Sequence, residues 1–324
     1  MPPSEAEFAA QTDPYRRELL AHCYRMLGSF HDAEDVVQET YLRAWRGFAA
    51  FERRSSVRTW LYRIATRACL TALENKGRRV LPSGIGGPSD NPAGKLAARR
   101  GDVPWLQPLP DAAVGGDAED PAVVAARRES TRLAFVAALQ ELPARQRAAL
   151  VLRDVLAWPA SEVAELLDMS VVAVNSALQR ARTQLQKSSP AEELVTMTSD
   201  VDLELLNRFV TAFEAADMPA LSALFRDDVR LEMPPIPTWF DGRDAVIEFF
   251  ASRVLAGGRR RLVPTSANGC PAAATYVADA EGRLRAHNIQ VLDVREGRVE
   301  CIYAFLDTDL FAAFGLPLEW PAED

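Results

Sequence analysis

The chain has 324 residues, of which 48% are hydrophobic and 25% charged, and carries a formal net charge of −8. That length holds two or three domains, and the composition excludes a disordered or fibrous chain. No run nears the roughly 20 apolar residues of a membrane-spanning helix. Four scattered cysteines, Cys23, Cys69, Cys270 and Cys301, form no C-x-x-C pattern and have no histidine pair nearby. This argues against a disulfide framework or zinc site, and neither metal nor cofactor is expected. The start, MPPSEAEFAAQTDPYRR, is acidic and polar, unlike a secretory signal. A cytoplasmic location and no membrane partner are therefore expected.

Residues 14–79 show helical periodicity almost without interruption. In FHDAEDVVQETYLRAWRGF, Val37, Tyr41, Ala44 and Phe48 form the apolar stripe, while Asp35, Gln38, Glu39, Leu42 and Arg46 cluster on the reverse side. A leucine ringed by two carboxylates and an amide suits docking to a basic, partly apolar protein. Next comes FERRSSVRTWLYRIATRACLTAL. Here Val57, Trp60, Leu61, Ile64, Ala65 and Ala68 make the predicted core face, and Thr59, Tyr62, Arg63 and Thr66 look outward. From Glu52 to Arg79 there are eight Lys or Arg against two Glu. Aromatic and cationic groups interleaved on a basic surface suit single-stranded DNA, which offers a stacking face and a phosphate at every nucleotide.

Residues 80–120, VLPSGIGGPSDNPAGKLAARRGDVPWLQPLPDAAVGGDAED, are rich in Pro and Gly and end in acids. They predict a flexible linker. Trp105 is its exception, since a free linker gains nothing from an exposed indole. Either it packs back on a domain or it docks on a partner.

From 121 to 187 the helical pattern returns, broken at Leu142-Pro143 and Trp158-Pro159. In PASEVAELLDMS, Val163, Ala164, Leu166 and Leu167 give a short helix its apolar side. Asp168 stands at the turn, where a left-handed backbone favours Gly, Asn or Asp. Ser170 is placed to cap the following helix. In that helix Val171, Val174, Leu178, Ala181 and Leu185 share one face, and Val172, Asn175, Ser176, Gln179, Arg180 and Thr183 the other, with Arg182 beside them. The segment holds no acid. A short helix, a tight turn and a capped helix with such an outer face predict a DNA-binding helix-turn-helix: Asn and Gln match adenine, Arg matches guanine or phosphate.

A second short boundary follows at 188–199. Residues 200–324 then mix two helices, about 201–215 and 218–226, with alternating segments such as RLRAHNIQVLDV and RVECIYAFL, joined by the turn EGR. That pattern predicts an α+β unit with an antiparallel hairpin.

These motifs together resemble the sigma-70 family of RNA polymerase sigma factors, in its extracytoplasmic-function (ECF) group. ELPARQRAALVLRDVLAWPASEVAELLDMSVVAVNSALQRARTQL is similar to region 4, and the resemblance implies that Asn175, Ser176, Gln179, Arg180 and Arg182 contact the promoter −35 element. The D-x-x-Q-E of Asp35, Gln38 and Glu39, with Leu42, resembles the part of region 2 that grips core RNA polymerase. The following basic run resembles the part that binds the −10 element. The resemblance implies contacts from Arg53, Arg54, Ser55, Tyr62, Arg63 and Arg67, the loop at 52–56 receiving a flipped base. Trp60 is read as core. The third unit, LLNRFVTAFEAADMPALSALFRDDVRLEMPP followed by WFDGRDAVIEFF and the hairpin, resembles SnoaL-like domains of the nuclear-transport-factor-2-like superfamily, α+β cones with a pocket.

The implied fold is multidomain: two all-α domains at 1–79 and 121–187, linkers at 80–120 and 188–199, and an α+β cone at 200–324. The implied partners are core RNA polymerase and promoter DNA, with an anti-sigma factor or a small ligand as further candidates at the C-terminal unit. Some SnoaL-like domains are enzymes, and His287, Asp293 and Glu300 are the candidate proton-transfer groups. The run Glu300, Cys301, Ile302, Tyr303 keeps only the Glu of the catalytic relatives' E-H-W-D, so no catalytic residue is expected. The alternative is a helix-turn-helix repressor with a ligand-sensing domain. It leaves the D-x-x-Q-E face and the basic aromatic helix unexplained.

Overall fold

The computed structural model describes residues 4–51, 55–75, 77–115, 129–188 and 200–321. The chain forms two compact units: residues up to Arg79 with those from Ala113 to Glu193, and Val80–Ala112 with the chain from Leu194 onward.

The first unit is helical. Helices α1 (Glu5–Thr12), α2 (Arg16–Leu27), α3 (Phe30–Phe48) and α4 (Val57–Asn75) come first, and a single turn α5 (Asp111–Val114) begins in the second unit and ends in the first. Helices α6 (Leu133–Gln140), α7 (Ala144–Leu150), α8 (Ala160–Leu167) and α9 (Val171–Ser188) follow. Local chemistry sets several boundaries. Helix α2 stops at Gly28, whose φ of 68° is the left-handed conformation that glycine adopts without strain. The cap of helix α3 is the next residue, Ser29, whose hydroxyl accepts from the Asp32 N–H at 3.1 Å. Along α3 the residues Ala33, Val36, Val37, Thr40, Ala44 and Phe48 are buried, a spacing of three and four that marks one helical face. Tyr41, expected within that stripe, lies at its edge and donates its hydroxyl proton to the Thr12 carbonyl at 2.8 Å.

The N-terminal and later helices join through two buried arginines. The Arg147 guanidinium donates to the carbonyl of Met26 in the last turn of α2, to Gln140 Oε1 at 2.6 Å and to the carbonyls of Gln140 and Leu142, each at 3.2 Å. Arg25 donates to the Ser130 hydroxyl at 2.7 Å. A cation at a helix C-terminus answers both the orphan carbonyls and the negative end of the helix dipole.

The second unit has helices α10 (Asp200–Glu214), α11 (Met218–Leu224), α12 (Arg243–Phe249) and the short α13 (Leu310–Ala313). Strands β1 (Phe225–Glu232), β2 (Trp239–Asp241), β3 (Arg260–Ala267), β4 (Cys270–Ala278), β5 (Leu284–Arg295) and β6 (Arg298–Phe305) make one sheet in the order β2-β1-β6-β5-β4-β3. All pairings are antiparallel except β1 with β6. The predicted hairpin is β5–β6, turning at Glu296 and Gly297 with φ of 53° and 72°, the two positive values of a type I′ turn. Phe209, Phe213, Phe249 and Phe250 from the helices are buried against the sheet in one apolar core.

Residues 80–112 depart from the expected free linker: they pack on this second unit. Leu81, Trp105, Leu106 and Leu109 are buried, and the Trp105 indole donates to the Arg100 carbonyl at 2.7 Å. The Ser83 N–H and hydroxyl both donate to the buried Glu232 carboxylate, at 2.9 and 3.0 Å. Burial pushes that carboxyl's pKa up while the Ser83 bonds hold it down. Main-chain bonds fasten Ser89 to Trp239, Arg100 to Pro235 and Leu109 to Asn268. Proline and glycine abolish periodicity, but a few apolar anchors and an available strand edge suffice to hold such a segment.

Candidate polymerase and nucleic-acid interfaces

On α3, Asp35 and Gln38 are exposed and Glu39 is half-exposed, paired with Arg43 at 2.7 Å one turn on. Leu42 is 52% exposed in their midst. Trp45, 41% exposed and edge-on to Phe8 at 5.2 Å, extends the apolar centre by one turn. The sequence reading missed Trp45; its signal was the i+3 spacing from Leu42. The four expected residues and Trp45 therefore share one accessible surface.

Along α4 the expected outward face divides. Arg67 is exposed, and Ser55 is half-buried in the preceding loop; Arg53 and Arg54 lie outside the described residues. Tyr62 and Thr66 are fully buried, contrary to expectation. Helix α4 packs on α2 along one flank and meets the α8 segment along another, so a second stripe is covered. The Tyr62 ring lies 5.1 Å from His22 and 5.8 Å from Trp158, and Thr66 Oγ1 is 2.9 Å from His22 Nε2. Burial, then Arg25, lowers the pKa of His22 to about 3, so this ring is neutral. Arg63 forms a forked pair with Glu165 of α8, at 2.9 and 3.0 Å. Trp60, expected in the core, is only half-buried and stacks on Phe51 at 4.6 Å.

The helix-turn-helix forms through the expected local chemistry. Asp168 takes the left-handed conformation at φ 53°, and the Ser170 hydroxyl accepts from the Ala173 N–H at 3.1 Å. Val174, Leu178 and Ala181 face the core; Val171, expected beside them, is exposed in the first turn. Asn175, Gln179 and Arg180 are exposed on the outer face, and Ser176 is half-buried with its hydroxyl donating to the Val172 carbonyl at 3.0 Å. Arg182 is not unopposed: Asp154, outside the helix, holds its guanidinium through bonds of 2.9 and 2.7 Å. Side chains of this kind on one capped helix can meet base edges and phosphates in a major groove.

In the sheet unit, His287 lines a cavity, whereas Asp293 and Glu300 do not. Glu300 stands 3.8 Å from Arg295. The three candidate acid–base groups are thus not gathered at one site. The four cysteines are buried free thiols. Among the described residues no group of His, Cys, Asp and Glu is arranged to hold a metal, and no helix is long and apolar enough to cross a membrane.

Residues 13–79 match Sigma-70 region 2, residues 132–185 match Sigma-70 region 4, and residues 206–302 match the SnoaL-like domain. The chain is 52% identical over 315 residues to the ECF RNA polymerase sigma factor SigG of Mycobacterium tuberculosis, covering 96% of this chain and 84% of that protein. It is 28% identical to SigJ of the same organism, covering 96% and 94%. The crystal structure of SigJ superposes with a TM-score of 0.61 at 26% identity, over 96% of this chain and 99% of that one. The matches to Sigma-70 regions 2 and 4 and to the SnoaL-like domain, with 52% identity to an ECF sigma factor over 96% of the chain, place this chain in the ECF family of RNA polymerase sigma factors.

Proposed function

We propose that the chain works in the cytoplasm as a promoter-specificity subunit. Asp35, Gln38, Glu39 and Leu42 hold core RNA polymerase. The segment 52–56 with Arg63 and Arg67 takes the −10 element, and Asn175, Ser176, Gln179 and Arg180 of α9 take the −35 element. The SnoaL-like domain regulates without catalysing a reaction. The observation that carries this reading is the exposed Leu42 amid Asp35, Gln38 and Glu39. A repressor has no use for a carboxylate-rimmed apolar docking face, whereas a sigma factor must grip its polymerase.

The promoter elements lie on the order of 70 Å apart, two turns of roughly 34 Å each. Arg63 and Glu165, by contrast, touch at 2.9 Å. The two regions therefore part on the promoter, and Arg63 exchanges its carboxylate partner for phosphate. The reach comes from the connector, most of which the SnoaL-like domain holds through bonds to Ser83, Ser89, Arg100 and Leu109. Regulation by that domain is proposed to act through this hold. Co-purification tests the reading: core RNA polymerase is retained by the tagged chain and lost with the Asp35→Arg/Glu39→Arg pair. Retention unchanged by the double reversal would remove α3 as the docking face.

A further inference from the structure

The sheet unit encloses a cavity of about 380 Å³, within the roughly 300–1,000 Å³ of small-molecule sites. Its wall is apolar, built from Phe213, Leu231, Met233, Ile236, Phe249 and Phe250. No carboxylate lines it, yet Arg99, Arg253 and Arg260 do. Arg253 donates to the Gly94 carbonyl and Arg260 to those of Val254 and Gly258. The Arg253 and Arg260 guanidinium charges are thus hydrogen-bonded, and no lining acid neutralises them or Arg99.

A β-bulge brings polar groups to the same place. Thr275 pairs with Asn288 and Tyr276 with Ala286, leaving His287 as the extra residue of β5. A regular strand would turn consecutive side chains to opposite faces; the bulge lets both His287 and Asn288 line the cavity. His287 keeps an exposed side chain at the open side of the cavity; partial desolvation there and then the charges of Arg99 and Arg260 lower its pKa, so three cationic or ionisable groups gather here. Asn288 is 8% exposed, and its Oδ1 has no hydrogen-bond partner. A buried acceptor left unpaired in this way is costly and rare. Gln290, next on the same face, is already satisfied, donating to Thr275 Oγ1 at 2.8 Å.

We propose that this cavity binds an amphipathic organic anion: a carboxylate between Arg99, Arg260 and His287, an adjacent hydroxyl donating to Asn288, and an apolar chain along the phenylalanine wall. Leu96 and Arg99 belong to the connector, so the occupant bridges the connector and the domain. This site assignment does not depend on the promoter reading, and its test needs no polymerase.

The probe is 3-hydroxydecanoate, titrated calorimetrically into the full chain, with decane-1,3-diol as the neutral counterpart of equal length. The acid is expected to bind saturably at one site and at least about tenfold more tightly than the diol, because charge-assisted bonds are the stronger ones. Arg99→Gln, at an exposed position that leaves folding intact, is expected to weaken the acid about tenfold and the diol little. In proton NMR of the full chain, the ligand is expected to raise the pKa of His287. Absence of saturable binding, equal affinity for acid and diol, or an Arg99→Gln variant that binds the acid undiminished would overturn the proposal.

Discussion

Truncating Leu42 to alanine isolates the apolar centre of the docking face. Fully burying a leucine side chain is worth about 1.5–3 kcal/mol. Leu42 is 52% exposed in the free chain, so polymerase has about half of it left to cover. Part of the alanine methyl remains, which leaves a loss of about 1 kcal/mol, or about fivefold in Kd. The exposed half contributes nothing to folding, and alanine is the better helix former; the unfolding free energy is expected to change by less than about 1 kcal/mol. Competition of unlabelled variant against fluorescent wild-type chain for core RNA polymerase reads the affinity. Leu318→Ala, at a 59% exposed leucine of the sheet unit, supplies the control and is expected to bind core normally. Equal Kd for Leu42→Ala and wild type would refute the assignment of this surface, as would an equal loss from Leu318→Ala.

On α9, Arg180→Ala is expected to weaken −35 DNA by about 1–3 kcal/mol in a mobility-shift assay. Arg182→Ala is expected to cost less, because Asp154 already occupies its guanidinium. His22 makes the helical unit sensitive to acid. Its pKa falls from 6.5 unfolded to about 3 folded, through burial and then Arg25. The fold therefore excludes a proton that the unfolded chain accepts: the contribution is full above pH 6.5 and drains away as pH falls toward 3. Between pH 7 and 5 this amounts to about 2 kcal/mol. Urea denaturation at both values measures it, and His22→Gln is expected to lose that component. Arg147→Met leaves the carbonyls of Met26, Gln140 and Leu142 without their donor and is expected to lower the unfolding free energy by about 3 kcal/mol. An unchanged denaturation midpoint would show that this joint is not what binds α2 to the later helices.

How much of this was legible in the sequence depended on whether the deciding contact was local. Asp168 at the turn and Ser170 at the cap act within four residues of themselves, and both were readable. So were the exposed Asp35, Gln38 and Leu42, because one dominant stripe fixes which way α3 faces. Tyr62 and Thr66 were misread because periodicity reports an apolar face, not the number of neighbours; α4 has neighbours on two flanks. The acid opposite Arg182 lies 28 residues earlier in the chain, beyond any helical window. The packing of residues 80–112 was signalled only by Trp105, since a few scattered anchors leave no period to detect. His287 was singled out from the sequence, but the β-bulge that sets Asn288 beside it left no trace in an alternating strand, so the rest of the polar lining stayed hidden.

In vitro run-off transcription tests the central claim most directly. Core RNA polymerase alone, core with the purified chain, and core with the Asp35→Arg/Glu39→Arg variant are given the same library of promoter fragments. The account predicts defined start sites with the wild-type chain and their loss with the variant. Transcription that begins at no preferred position when the wild-type chain is present would contradict it.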